Sequence, residues 1–259
     1  RLVISVDCGI KAVEFTERAR EMGADVIITD HHLPGETLPR ALAVLNPVLE
    51  GSGYPEKGLA GVGVAYKLIQ ALLDGGPRGP DWVQNYLKPV AIGTIADVAP
   101  LKGENRILVR HGLESLGDVS NVGLRKLFEA CGLGRRRVSE GDIGFRIGPR
   151  LNAAGRMGDA AMAVRLFFAA EAEAAEIVAR LETLNAKRQG EEEKIFKEAV
   201  RRVDERGLGG RYKFLVLGSP GWHRGIIGIV ASKLKDHYHR PVMSRQVFAF
   251  KLGVNPRTL

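Results

Sequence analysis

The sequence predicts an α/β protein: a domain built on a parallel sheet, joined by a long helix to a smaller α/β domain. Three observations carry that prediction. The stretches LVISVD, GIKAVEFTERAREMG and VIITD alternate strand-like and helix-like patterning from the first residues onward, and a strand–helix–strand unit nearly always closes a right-handed crossover between parallel strands. Glu171 to Gly207 is one long charged segment with sparse apolar positions at Ile177, Leu181, Leu184, Ile195 and Val203. As a continuous helix it would span roughly 50 Å at 1.5 Å per residue, and its thin apolar stripe suits a connector. After it, YKFLVLG and SPGWHRGIIGIVASKLKDHY read as a strand, a glycine-bounded loop and a helix.

The remaining elements come in order. The first helix places Ala12, Phe15, Ala19 and Met22 on one stripe. ALAVLN is a short third strand, and LAGVGVAYKLIQALL is a helix entered through glycines that permit close packing. GGPRGPD is a turn or small insertion. DWVQNYLKPVAIGTIADVAPL is mainly helical, with Pro89 opening a second helix and Asp97 near its end. ENRILVRHGLESL and NVGLRKLFEACGL are two further amphipathic helices. The expected divisions are residues 1–170, 171–207 for the long helix, and 208–259. The chain enters directly on a strand, and since a strand needs neighbours, the sequence reads as the interior of a longer protein.

Composition narrows the classes. The 259 residues suffice for a large core, and 45% hydrophobic with 26% charged content is ordinary for a globular chain. No apolar run approaches the roughly 20 residues of a membrane helix. Cys8 and Cys131 are too few for a disulfide framework and lack metal-pair spacing, so a reducing, cytoplasmic setting is expected. Cys8 is expected to pack as a small buried side chain. The net charge of +8 favours an anionic partner, nucleic acid first.

The stretch VIITDHH raises the chemical question. Adjacent histidines within a strand point to opposite faces, so His31 and His32 can serve one site only from a turn just past the strand. In open parallel sheets ligands gather beyond the carboxyl ends of the strands, and Asp7 and Asp30 both stand there. Taken singly, each residue has an ordinary structural reading. Asp7 can cap a helix, Asp30 can form a turn, Asp97 can end a helix before Pro100, and either histidine can be a surface residue. His111, His237 and His239 fit no motif. Farther on, FRIGPRLNAAGRMGDA carries Arg146, Arg150, Asn152 and Arg156 among small residues. With Arg135, Arg136 and Arg137 it forms the most basic region of the chain, suited to phosphate or to a solvated loop. GWHRGIIGIVASKL opens a helix behind His223 and Arg224, a potential anion site. Trp222 in that segment could stack on a base or sit in the core at the base of the loop.

VDCG, IITDHH, AIGTIADVAPL, RIGPRLNAAGRM and GWHRGIIGIVASKL, in that order from Val6 to about Leu234, together resemble the DHH phosphoesterase superfamily. Within it they look like the RecJ branch, exonucleases that degrade single-stranded DNA from the 5′ end. The resemblance implies a parallel-sheet DHH catalytic domain, a long connecting helix and a smaller DHH-associated domain, with the active site in the cleft between the domains. It implies two divalent metals, Mn²⁺ or Mg²⁺, with Asp7 bridging them and His31 and Asp97 as further ligands. Asp30 would orient the histidine, and His32 would face the scissile phosphate. Arg150, Asn152, Arg156, His223 and Arg224 would contact substrate, and the implied setting is DNA repair and recombination, with a single-strand-binding protein and a helicase as possible partners.

The sequence departs from the family pattern in two places. The family's early Asp-x-Asp strand, which binds the other metal, has no counterpart here, so that site is expected to be incomplete. The family's glycine- and serine-rich segment after the RPV strand has no clear match in RPVMSRQVFAFKLGVNPRTL, which also leaves no room for a nucleic-acid-binding OB domain. Two other readings accompany the nuclease: a DHH phosphoesterase acting on short oligonucleotides, cyclic dinucleotides or pyrophosphate, and a non-catalytic DHH protein that binds single strands.

Overall fold

The structure is a computed structural model that describes residues 1–74, 76, 81–134 and 136–245. Arg135, most of the turn at residues 75–80 and the segment after Arg245, on which expectations fell, lie outside the described residues. The chain divides into two compact units, residues 1–149 and 150–259.

The first unit begins with the expected crossover. β1 (Leu2–Val6), α1 (Val13–Glu21) and β2 (Asp25–Thr29) are followed by β3 (Ala43–Leu45), in a parallel sheet of order β1-β2-β3. The register pairs Leu2 with Asp25 and Val6 with Thr29, then Ile27 with Ala43 and Thr29 with Leu45. The three strands therefore end together at one edge. Val26 and Ile28 pack with Ala19 under α1, and burying one such β-branched side chain contributes about 1.5–3 kcal/mol.

The stripe read on α1 coincides only in part with its buried face. The buried positions are Thr16 and Ala19, whereas Phe15 and Met22 are exposed. The helix starts at Val13, and small residues are what let it lie close to the strands. Cys8 is also exposed rather than packed, because it sits in the loop leaving β1, where its carbonyl accepts from Ser5 Oγ at 2.8 Å.

α2 (Gly61–Leu73), α3 (Asp81–Gln84), α4 (Leu87–Ala96), α5 (Gly103–Ser115) and α6 (Val122–Ala130) build the rest of this unit. Pro89 falls in the first turn of α4, where a missing N–H costs nothing. Leu59, Val64, Tyr66, Val83, Val90 and Leu108 form one core between these helices. α7 (Glu140–Asp142) is closed by a capping box between Ser139 and Asp142. Next comes a π-helical turn (Ile143–Ile147) that buries both Ile143 and Ile147.

α8 (Gly148–Met157) continues from that turn, so the basic stretch is helical rather than a loop. Beyond it lie α9 (Ala161–Leu166) and α10 (Glu171–Glu205), the latter a 35-residue helix. It packs on α9 and α12 inside the second unit. α11 (Leu208–Arg211), β4 (Leu215–Gly218), α12 (Arg224–Tyr238) and β5 (Val242–Arg245) complete the described chain, with β4 and β5 parallel. Ile195, Ala199 and Val203 of α10 meet Leu215, Leu217, Trp222, Ile226, Val230 and Leu234 in a single core. Among the described residues no helix is long and apolar enough to cross a membrane.

Candidate metal centre

Parallel β1 and β2 release the chain at the same edge of the sheet. Asp7 leaves β1 directly, and its amide donates to the Thr29 carbonyl at 2.9 Å, one rung beyond the ladder. It then turns sharply with φ +62°, a region few non-glycine residues adopt. The turn sends its carboxylate against the start of α2. An alanine Cβ at Gly61 would stand 2.0 Å from Asp7 Oδ1, so the space for this carboxylate exists because residue 61 has no side chain.

Asp97 arrives from the opposite direction, as the C-cap of α4. Val98 behind it has φ +58°, and the Ala99 amide returns to the Thr94 carbonyl at 3.2 Å. A carboxylate at a helix C-terminus faces the negative end of the helix dipole and is disfavoured without a nearby cation.

His31 lies between the two acids. Its Nε2 is 3.1 Å from Asp7 Oδ1 and 3.5 Å from Asp97 Oδ2. That nitrogen is buried, yet neither acid is aligned to hydrogen-bond it, and it has no hydrogen-bond partner. A buried ring nitrogen facing carboxylate oxygens without a hydrogen bond is poorly satisfied as it stands. It is well placed as a ligand, and this donor set of carboxylates with imidazole suits Mn²⁺ or Mg²⁺. Donor atoms of Asp7, His31 and His32 also lie within 4.8 Å of one another. The residues present therefore fit a divalent cation.

Electrostatics agree with that fit. Burial pushes the Asp7 carboxyl above its ordinary value, with Asp97 and Asp30 adding to the rise and the histidines opposing it. A carboxylate strained in this way gains from positive charge beside it.

Asp30 plays a different part from the one expected. It is 1% exposed. Oδ1 accepts from the amides of His31 at 2.8 Å and His32 at 3.2 Å and meets the His32 ring Nδ1 at 2.7 Å, while Oδ2 accepts from the Ile10 amide at 2.9 Å. The histidine ring it orients is therefore that of His32, and His31 is held through its backbone alone. Burial opposes ionisation of Asp30, but the Ile10 amide, the His32 ring and the other two amides outweigh it and hold the carboxyl below its ordinary value. The hydrogen bond that the His32 ring gives to Asp30 in turn raises the His32 pKa. The two adjacent rings lie 4.5 Å apart at 65°. The turn is thus what lets both histidines reach one locality.

Two contributors went unforeseen. Gly61 makes room for Asp7, and its signal was the glycine-opened helix. Asn46, just past β3, donates to the His32 carbonyl at 2.9 Å; its signal was a short polar residue ending a third parallel strand.

The substrate residues expected farther along belong to the second unit. Arg156 at the end of α8 donates to the Gly225 carbonyl at 2.8 Å. A Cβ at Gly225 would come within 2.8 Å of the Arg156 carbonyl oxygen, so α8 and the start of α12 are in close contact. His223 is the N-cap of α12, with Nδ1 accepting from the Gly225 amide at 3.1 Å. Arg224 and Asn152 are exposed. Arg150 is paired with Glu182. In the first unit, Arg136 and Arg146 both approach Asp142, so part of the basic region is neutralised internally. Trp222 is 2% exposed and donates from Nε1 to Glu198 at 3.0 Å, the core reading rather than a stacking surface.

Comparison with known proteins places this geometry. A family model described as "DHH family, N-terminal domain" matches residues 1–94. The single-stranded-DNA-specific exonuclease RecJ of Bacillus subtilis (strain 168) is 43% identical over 243 residues, 93% of this chain and 30% of that protein. Residues 1–94 belong to the DHH family as its N-terminal domain. The DHH match contains Asp7, Asp30, His31 and His32, and Asp97 lies just past it. Among solved structures, RecJ from Thermus thermophilus in complex with Mn²⁺ superposes with a TM-score of 0.83 at 41% identity, over 94% of this chain and 36% of that one. The Mg²⁺ complex from the same organism gives 0.73 at 37% identity, over 94% and 34%. The chain thus shares their α/β fold and spans about a third of the length of these relatives.

Proposed function

We propose that this chain carries the catalytic core of a RecJ-type, single-stranded-DNA-specific exonuclease. It hydrolyses phosphodiester bonds with Mn²⁺ or Mg²⁺, works from the 5′ end and releases nucleotides. The single observation that carries the reading is the buried His31 Nε2, unpartnered between the oxygens of Asp7 and Asp97. The 43% identity to a protein named for this activity supports it. Asp7, His31 and Asp97 are the metal ligands in this reading. A bound divalent cation supplies positive charge at a phosphate oxygen and makes water a better nucleophile.

The protein's own groups do the rest. Asp30 fixes the His32 ring through Nδ1 and favours its protonated form, leaving Nε2–H to donate to a phosphodiester oxygen as charge develops on it. The exposed Asn152, His223 and Arg224 of the second unit are phosphate contacts, while Arg156 braces the start of α12. The setting is cytoplasmic repair and recombination, in company with a single-strand-binding protein and a helicase.

The test is direct. A 5′-phosphorylated single-stranded DNA, labelled at either end, is incubated with the protein and Mn²⁺ beside a His31→Ala control. Nucleotides released from the 5′ end, and lost in the control, are expected. Turnover that persists in His31→Ala would overturn the assignment.

A further inference from the structure

The two carboxylates that flank His31 come from segments far apart in the chain, and one buried side chain ties those segments together. Asn105, in the first turn of α5, is 1% exposed. Its Oδ1 accepts from the Ala60 amide at 3.2 Å, and its Nδ2 donates to the carbonyls of Gly58 at 2.7 Å and Pro100 at 3.0 Å. Ala60 immediately precedes Gly61, the residue that touches Asp7. Pro100 lies at the end of the turn that begins at Asp97.

These partners allow only one orientation of the amide. A flip would set its two N–H groups against the Ala60 N–H and its oxygen against two carbonyls. Both donors and the acceptor are therefore in use, inside the protein, at a fixed length. The surroundings fix α5 itself: Lys67 and Tyr54 bind Glu104, and Gly103 leaves room for Glu56. Asn105 is thus a brace of set dimensions between the Gly61 end of one segment and the Asp97 turn of the other.

We propose that Asn105 is a positioning residue for the divalent-cation site, holding the Asp7 and Asp97 carboxylates at the separation at which both face His31 Nε2. The inference rests on the metal-site reading above. Groups that orient ligands without touching the ion typically change metal affinity by about 10–100-fold when removed.

The experiment measures Mn²⁺ binding to the 259-residue chain by electron paramagnetic resonance of the free ion, alongside thermal unfolding. Asn105→Asp keeps the shape and the acceptor but loses both donors, and Asn105→Ser is a second variant whose shorter side chain cannot span the three partners. Leu127→Ala, a fully buried change in α6, is the control for general destabilisation. About tenfold weaker Mn²⁺ binding in both Asn105 variants is expected, with parental affinity in folded Leu127→Ala. Exonuclease activity in the Asn105 variants should recover as Mn²⁺ is raised. Parental Mn²⁺ affinity in both Asn105 variants, while His31→Ala abolishes binding, would overturn the brace and leave the metal site standing. A parent chain that binds no Mn²⁺ would instead overturn the metal-site reading, and the brace with it.

Discussion

Gly61 and Asp7 are mutually exclusive neighbours for any larger residue: a Cβ at position 61 would lie 2.0 Å from Asp7 Oδ1 and 2.7 Å from its carboxyl carbon. Gly61→Ala therefore has to displace the carboxylate, while adding the residue type that most favours helix to the start of α2. The expected result is about tenfold weaker Mn²⁺ binding with an unfolding temperature near that of the parent. Calorimetric titration with Mn²⁺ checks it, and unchanged affinity would show that the Asp7 position is not critical.

Asp30→Asn exchanges a carboxylate that accepts from three amides and a ring nitrogen for a group that must present N–H to at least one of those donors. At a site this buried, one mismatched donor costs about 1–3 kcal/mol. Urea unfolding should show that loss, and nuclease activity should fall as well, because the His32 ring loses its fixed orientation.

Asp142 predicts an acid-dependent stability. The Ser139 amide leads the interactions that hold its carboxyl below the ordinary value of 3.8, with the Ser139 hydroxyl and Arg136 adding to it. A depressed folded pKa contributes stability above the unfolded value, and that contribution is lost as pH falls through the folded one. Asp142→Asn should cost about 1 kcal/mol near neutrality, as capping losses do. Denaturant titrations at about pH 7 and about pH 3 should show the gap between parent and variant closing in acid. A gap of constant size would refute the assignment.

Trp222 separates packing from hydrogen bonding in the second unit. Trp222→Phe keeps most of the buried ring and loses the bond to Glu198, so about 1 kcal/mol is expected. Trp222→Ala opens a cavity in the core shared by α10 and α12 and should cost about 3–5 kcal/mol. Similar losses for the two variants, measured by urea unfolding, would contradict the core assignment.

Much of this protein could be read from local pattern. Strand and helix periods differ, so β1, α1, β2 and the 35-residue α10 were legible along the chain. The parallel crossover put Asp7 and the Asp30–His32 turn at one edge of the sheet, because handedness and strand direction are set by the connection itself. What the periods could not say was which face a helix turns inward: Phe15 and Met22 share a stripe with Ala19 yet stay exposed. Nor could they say which ring Asp30 holds, that Cys8 stays in solvent, that Gly61 makes room for Asp7, or that Asn105 ties the Ala60 and Pro100 backbones together. Those facts depend on segments distant in sequence meeting at hydrogen-bond distance, where an error of one ångström separates a contact from a clash. The sequence by itself determined which chemical groups this protein possesses and at which end of the sheet they emerge. The tertiary structure alone decided which of them face one another, because burial and hydrogen bonding are settled between elements and not within them.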